Sequence, residues 1–371
     1  MSLAVASPRD GAEAMEKAAS EFQICGSMRV KALPLRGLRD RVRWAFDPLF
    51  FNLYGWVGEE QARVGICESL RHFDLIWIGG LRVANLLELW HWPRSMLDID
   101  DVPSSYELTK WRSDRRLIHR FKAGIRAVAL KRREKSLLER FTLLGVCSEA
   151  DRRYLGGGSR IHVIPNGFER PTAEPRRKSS QPPRIGFIGP FGYTPNLEGV
   201  RWFMRACWAR IKRDVPDVRL RLVGKDTDGP LRPAGPDVDG LGWLADPSEE
   251  IATWSAMIVP IRVGGGTRLK VAEALSHKCP LVSTGLGAFG YDLIDEKEIL
   301  LADTGRAFAR ACIRVIQEPV KASEMADRAW RRFLDSWTWD AIAPRVWAAA
   351  EQCLSLSDGG LDRTREVLQG R

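Results

Sequence analysis

The sequence predicts an α/β protein of two doubly wound domains facing a cleft, and three observations predict it. Its 371 residues suit two ordinary domains, each of roughly 150 residues. Short β-branched or apolar runs alternate with longer amphipathic ones, the pattern of βα units around a mainly parallel sheet. Between two such series lies 165–183, PNGFERPTAEPRRKSSQPP, whose five prolines and low apolar content read as an exposed inter-domain linker. The expected organisation is therefore an N-terminal domain over 1–164, the linker over 165–183, a second domain over 184–340, and a C-terminal helix and tail over 341–371.

In the first series strands are expected at 2–6, 28–32, 75–78, 95–99, 142–146 and 161–164. The second opens with a strand at 184–188 and a helix near 196–213, followed by strands at 218–223 and 257–260. A helix at 270–276 and strands at 281–283 and 299–301 complete it, and helices follow over 307–317, 322–333 and 341–354. Ligands of such folds bind at the carboxyl ends of the strands, here in the cleft between domains.

With 44% hydrophobic and 28% charged residues the chain can bury two cores, which excludes disordered and fibrous classes. No uninterrupted apolar run approaches the ~18–20 residues of a membrane-spanning helix; the richest stretch, 46–57, already holds Asp47, Pro48 and Asn52. Residues 1–10 lack the features of a secretory signal, so the expected location is cytoplasmic, peripheral on the inner face of the membrane at most. The seven cysteines (Cys25, Cys67, Cys147, Cys207, Cys279, Cys312, Cys353) are odd in number and scattered, with no C-x-x-C pair. They read as reduced core thiols, and the sequence implies neither a metal nor a cofactor. The five histidines have no partner spacing, and most of the fourteen tryptophans are expected in cores.

Nearly all of the net charge of +10 comes from 110–135, where eleven basic residues face only Asp114 and Glu134. Within it Ile118, Phe121, Ile125 and Val128 recur at steps of three and four, an apolar stripe on a helix whose other faces are basic. Two readings stand: a solvated helix face packed on its own domain, or a basic amphipathic helix lying on an anionic membrane surface. Nucleic acid is not an expected partner, because no helix-turn-helix, zinc-finger, RNP or KH pattern accompanies the charge.

The most informative stretch is 257–283, MIVPIRVGGGTRLKVAEALSHKCPLVS. A strand ends at Pro260, three glycines form a loop, and a helix begins near Leu269. Gly264, Gly265 and Gly266 let a ligand approach the backbone, and the helix N-terminus offers unpaired N–H groups and the positive end of its dipole. Thr267, Arg268 and Lys270 follow, the last two adding cations, so the loop suits a diphosphate. Glu273, one turn on, is placed to accept hydrogen bonds from sugar or ribose hydroxyls. The spacing is neither the Walker pattern nor the dinucleotide fingerprint.

GGGTRLKVAEAL with the following PLVST resembles the donor-site segment of glycosyltransferase family 4, retaining enzymes built from two Rossmann-like domains in the GT-B fold. IGFIGPFGYTPNLEGVRWF (185–203), IHVIPNGFE (161–169), LGWLADPSEEIATWSAMIVP (241–260) and MLDIDDVPSS (96–105) are similar to its second-domain opening, hinge, base-binding region and a cleft-facing strand end. The resemblance implies a nucleotide-sugar donor, a glycan or lipid-linked acceptor, and metal-independent transfer with retention. The family commonly has two glutamates eight positions apart; the second corresponds to Glu273, while the first falls at Gly265. Its usual Arg and Lys pair on the early loop of the second domain is not evident over 189–196, which leaves Arg268 and Lys270 to neutralise the diphosphate. Asp100 and Asp101 stand where many relatives have a histidine near the acceptor, and either is expected to orient or deprotonate the acceptor hydroxyl, or to cap the next helix. Relatives also begin with a strand, glycine-rich loop and helix, whereas this sequence opens at what looks like the second strand; a start placed too late, or a truncation, is the expectation. The rival functions are a non-catalytic sugar-nucleotide or glycan binder and a nucleotide-sugar epimerase.

Overall fold

The computed structural model describes residues 2–7, 23–32, 37–51, 56–113 and 116–369, so Asp114 and Arg115 of the basic segment lie outside the described residues. The chain divides into two compact units: residues 1–104, 122–164 and 345–371 form the first, and 105–121 with 165–344 the second. The segments 105–121 and 345–371 thus group with the unit opposite to, or beyond, the one that the sequence order gives them.

In the first unit β1 (Ser2–Ser7) and β2 (Gln23–Ala32) pair in parallel, and β3 (Trp56–Gly58) joins β2 antiparallel. A separate parallel sheet holds β4 (Ile76–Gly79), β5 (Trp92–Ile99), β6 (Phe141–Val146) and β7 (Ile161–Val163) in that order. Met96 and Leu97 are adjacent yet both fully buried, because β5 is covered on both faces, as parallel strands usually are. The helices of this unit are α1 (Leu38–Phe46), α2 (Glu60–Ser69), α3 (Leu81–Leu86), α4 (Pro103–Ser113) and α5 (Leu117–Glu134), α4 and the first turn of α5 being shared with the second unit. Two short helices, α6 (Leu137–Arg140) and α7 (Glu149–Tyr154), flank β6.

The second unit is a six-stranded parallel sheet. Its strands are β8 (Arg184–Ile188), β9 (Arg219–Val223), β10 (Val238–Gly240), β11 (Ala256–Val259), β12 (Leu281–Ser283) and β13 (Leu300–Leu301). Their order is β10-β9-β8-β11-β12-β13. Numbered by appearance this is 3-2-1-4-5-6, the Rossmann order, with its switch point between β8 and β11. The helices are α8 (Thr194–Phe203), α9 (Ala209–Asp214), α10 (Ser248–Ala252), α11 (Leu269–Ser276), α12 (Gly305–Gln317), α13 (Pro319–Ser336) and α14 (Trp339–Gln369), the last running on into the first unit. A π turn, Met204–Trp208, joins α8 to α9, so the helix expected near 196–213 is present with a widened middle. Ile185, Phe187, Leu220, Leu222 and Ile258 are fully buried on the sheet and meet Val200, Phe203 and Phe308 from the helices.

The proline-rich stretch is pinned to the second unit. Arg177 donates to the carbonyls of Ile251 (2.7 Å) and Trp254, and the Lys178 amide to Ala252 O at 2.9 Å. Ile251 and Ala252 close α10 and Trp254 follows it, so the guanidinium and the Lys178 amide add donors to carbonyls at the open end of the helix. Composition alone reads as a linker; the arginine inside it decides its packing.

Candidate functional site: the glycine loop at the switch point

Two loops leave the sheet at the switch point of the second unit, one after β8 starting at Gly189, the other after β11 carrying Gly264, Gly265 and Gly266. All three glycines of the second loop are buried. Gly264 has φ 145°, and a Cβ there would overlap the Arg268 guanidinium, so only glycine fits. Its amide donates to Thr109 Oγ1 at 3.2 Å, and Asn166 Nδ2 donates to Thr267 Oγ1 at 3.1 Å.

Arg268 is only 7% exposed. Its Nη1 donates to the carbonyls of Gly265 and, at 2.9 Å, Gly266, and its own carbonyl accepts the Tyr291 hydroxyl at 3.0 Å. The guanidinium therefore lies against the loop and fixes its shape. Lys270 is the second residue of the helix that follows. Val271, Ala272, Ala274 and Leu275 of α11 are buried in the core, which turns Lys270 and Glu273 together to the half-buried face.

Lys270 Nζ donates to Asn196 Oδ1 at 2.7 Å and sits 4.2 Å from the centroid of the Phe187 ring. Asn196 is buried at the start of α8, where its Nδ2 donates to Pro190 O at 2.9 Å. Gly189 has φ 142°, and a Cβ there would stand 2.7 Å from Lys270 Nζ. The early loop that lacks a cation of its own thus receives one from Lys270, 74 residues further along the chain than Asn196.

Burial pulls the Lys270 ammonium down to about 7, the nearby Arg268 charge adding to the effect and Glu273 opposing it. Burial pushes the Glu273 carboxyl up to about 7 against the attraction of Lys270. An ammonium and a carboxyl that both titrate near neutrality, beside a helix N-terminus, form a place where an arriving anion is stabilised by a proton taken onto Lys270.

Asp100 and Asp101 lie elsewhere, exposed at the end of β5 in the first unit. Cys147 Sγ is 3.8 Å from Asp100 Oδ1, and burial together with the Asp100 charge raises the Asp98 carboxyl. The structure thus gathers Gly264, Gly265, Gly266, Thr267, Arg268, Lys270 and Glu273 in one unit and keeps the aspartates in the other. Asn196, Thr109, Asn166 and Tyr291 are absent from the sequence reading. Asn196 alone carried a signal, since it stands in the early loop–helix segment where a phosphate partner is expected.

Comparison with known proteins agrees with this geometry. Residues 182–318, the strands and helices from β8 to α12, match the family described as Glycosyl transferases group 1. A Klebsiella pneumoniae protein described as an uncharacterized 44.6 kDa protein in cps region is 24% identical over 154 residues, which is 39% of this chain. The match spans 40% of that relative's own length. Sucrose-phosphate synthase from Thermosynechococcus elongatus superposes with a TM-score of 0.65 at 17% identity, over 96% of this chain and 99% of that one. Anabaena HepE in complex with UDP and glucose gives 0.62 at 14% identity, over 94% and 91%. These likenesses establish the fold as GT-B, with two Rossmann-like units, and the family match supports a glycosyltransferase.

Proposed function

We propose that the chain is a glycosyltransferase that moves a sugar, with retention and without a metal, from a nucleotide-diphosphate-sugar to a glycan or lipid-linked acceptor in polysaccharide or cell-envelope assembly. One observation carries the reading: Lys270 Nζ, bonded to Asn196 at 2.7 Å, stands at the N-terminus of α11 and at the β8–β11 switch point, where the Rossmann order puts phosphates. The HepE complex with UDP and glucose and the relative from a cps region are in keeping with the donor class and the pathway.

In this reading the bond from the sugar's anomeric carbon to the diphosphate breaks while the acceptor hydroxyl attacks on the same face, and its proton passes to the departing phosphate oxygen. Lys270 and the first amides of α11 stabilise the charge that builds on that oxygen, with Arg268 adding its charge while it holds the loop. Gly264, Gly265, Gly266 and Thr267 border the diphosphate, Glu273 accepts from the ribose hydroxyls, and Asp100 and Asp101 serve the acceptor. The place of work is the cytoplasmic face of a membrane, with 110–135 toward an anionic lipid surface; none of the helices, among the described residues, is long and apolar enough to cross it.

Gly265, standing where relatives commonly have glutamate, favours a second reading, a sugar-nucleotide binder without turnover. The test is a thermal-shift screen of nucleoside diphosphates followed by turnover with the matching sugar donors. A stabilising nucleotide, about 2.7 kcal/mol at a hundred times its Kd, with release of free nucleotide that Lys270→Ala removes, supports the enzyme. Stabilisation without turnover across UDP, GDP and dTDP sugars sinks it and leaves the binder.

A further inference from the structure

Helix α5 is inside out for a helix facing water. Its packed side is small, Ala123 and Ala127 with Leu130, while Ile125 and Val128 are 53% and 72% exposed. The same stripe holds Leu117, Ile118 and Phe121, all exposed. Burial of the large residues is worth about 1.5–3 kcal/mol for each side chain, so a helix that hides alanine and shows phenylalanine and isoleucine is shaped for something other than its own core.

Helix α1, some eighty residues earlier, has the same inversion. Leu38, Val42 and Phe46 recur every four residues and are 78%, 53% and 65% exposed, and Leu49 beyond the helix is exposed too. The inward residue is Trp44, clustered with Ala129 and Leu130 of α5. Arg133 fastens the two helices: its guanidinium donates to the carbonyls of Trp44 (2.8 Å), Asp47 (3.0 Å), Pro48 (3.2 Å) and Phe50 (3.1 Å). Arg132, one turn past Val128, lies over the Phe46 ring at 5.5 Å, so the outer stripe of α5 runs into that of α1.

The exposed charges around this double stripe have one sign. Arg39, Arg41 and Arg43 flank the α1 residues, and Lys122, Arg126, Arg132 and Lys135 those of α5, all exposed. The acids at hand are Asp40 and Asp47, both half-buried, Asp47 being paired with Arg43 at 3.1 Å, and Glu134, which is buried and accepts from the Ser104 amide at 2.8 Å. Projecting apolar side chains ringed by long cationic ones match the boundary of an anionic bilayer, where the tails insert below the headgroups and the guanidinium groups reach back to the phosphates.

We propose that α1 and the Lys122–Lys135 stretch form one membrane-seating face, in which Leu38, Val42 and Phe46 enter an anionic phospholipid bilayer together with Ile125 and Val128. This rests on the membrane reading above and adds to it a second helix that the basic segment does not contain.

The test is partition of the full chain onto vesicles of phosphatidylcholine alone and of an equimolar mixture with phosphatidylglycerol. The chain binds the mixture and not phosphatidylcholine, and binding falls as salt rises. Leu38→Ser/Val42→Ser/Phe46→Ser and Ile125→Ser/Val128→Ser each lose at least about tenfold in partition while keeping the wild-type melting profile. Binding unchanged in the α1 variant but lost in the α5 variant overturns the shared face and leaves the membrane reading standing. Absence of binding by the wild-type chain overturns both. Equal binding to the two vesicle types overturns the assigned charge, and a dimer in sedimentation velocity that the α1 variant converts to monomer assigns the face to a second copy instead.

Discussion

Two sets of cations in this chain differ in what surrounds them. Lys270 is enclosed: an amide oxygen accepts from it, an aromatic ring lies beneath it, and burial brings its ammonium to about 7. Arg39, Arg41 and Arg43 of α1 and Lys122, Arg126 and Arg132 of α5 are exposed beside apolar side chains that are exposed as well. One enclosed charge whose proton is nearly free to leave suits chemistry at a defined atom. Many exposed charges of one sign suit a surface, where position matters less than number and salt screens each of them. The net charge of +10 counts the two sets alike, and so says little about either.

The strongest way to break this contrast is Lys270→Ala. If the enclosed cation is the diphosphate contact, nucleoside diphosphate affinity falls about 10- to 100-fold, the worth of a hydrogen bond to a charged group. Turnover falls further, by about 100- to 1,000-fold, because the leaving oxygen carries most charge in the transition state. Vesicle partition stays as in the wild type. Calorimetric titration and single-turnover assays read the first two, and a Lys270→Ala chain that binds and turns over normally would end the assignment.

Gly264→Ala probes the frame instead of the charge. The residue sits at φ 145° with Arg268 where the new methyl would go, so the loop must shift, at a cost of about 1–3 kcal/mol in denaturant unfolding. Nucleotide affinity drops with it although no charge has changed. On the other face, Arg133→Ala removes the donor to four carbonyls of α1 and the segment after it. About 2 kcal/mol of stability goes, given one charged donor that leaves mostly part-buried acceptors open, and vesicle partition drops while nucleotide affinity holds.

How much of this was legible in sequence also differs between the two regions. The second unit announced itself: β8, β11 and β12 are apolar runs of the right length, and GGGTRLK between strand and helix has the composition expected of an anion loop. What stayed hidden is tertiary. That Lys270 reaches back to Asn196, and that Arg268 turns its Nη1 to the carbonyls of Gly265 and Gly266, depends on how α11 is set against α8. In the first unit the stripe of α5 was visible, but which side it faced was not, because an apolar stripe ordinarily points inward and here the alanines do. Helix α1 has no counterpart in the sequence reading: Leu38, Val42 and Phe46 hold a helical period, but three arginines and an aspartate among its nine residues leave no apolar run to mark it.

The smallest expected effect is the most diagnostic of enclosure, and it follows from the sign of two shifts. Lys270 sits at about 7 against an ordinary 10.5, so its charged form costs stability below about pH 7, and that cost fades as pH rises toward 10.5. Glu273 sits at about 7 against 4.5, so its charged form costs nothing in acid and progressively more between pH 4.5 and about 7. The unliganded chain therefore has the weakest contribution from this pair near neutrality. A bound diphosphate holds Lys270 protonated, so above pH 7 binding must take up a proton, and affinity falls by at most about tenfold for each pH unit. Titrations in two buffers of different ionisation enthalpy measure that uptake directly. Lys270→Arg, whose guanidinium stays charged, should bind nucleotide with a flat profile from pH 7 to about 9. If the wild-type profile is flat too, the ammonium is not the group that meets the diphosphate, and Lys270 belongs with the structural cations.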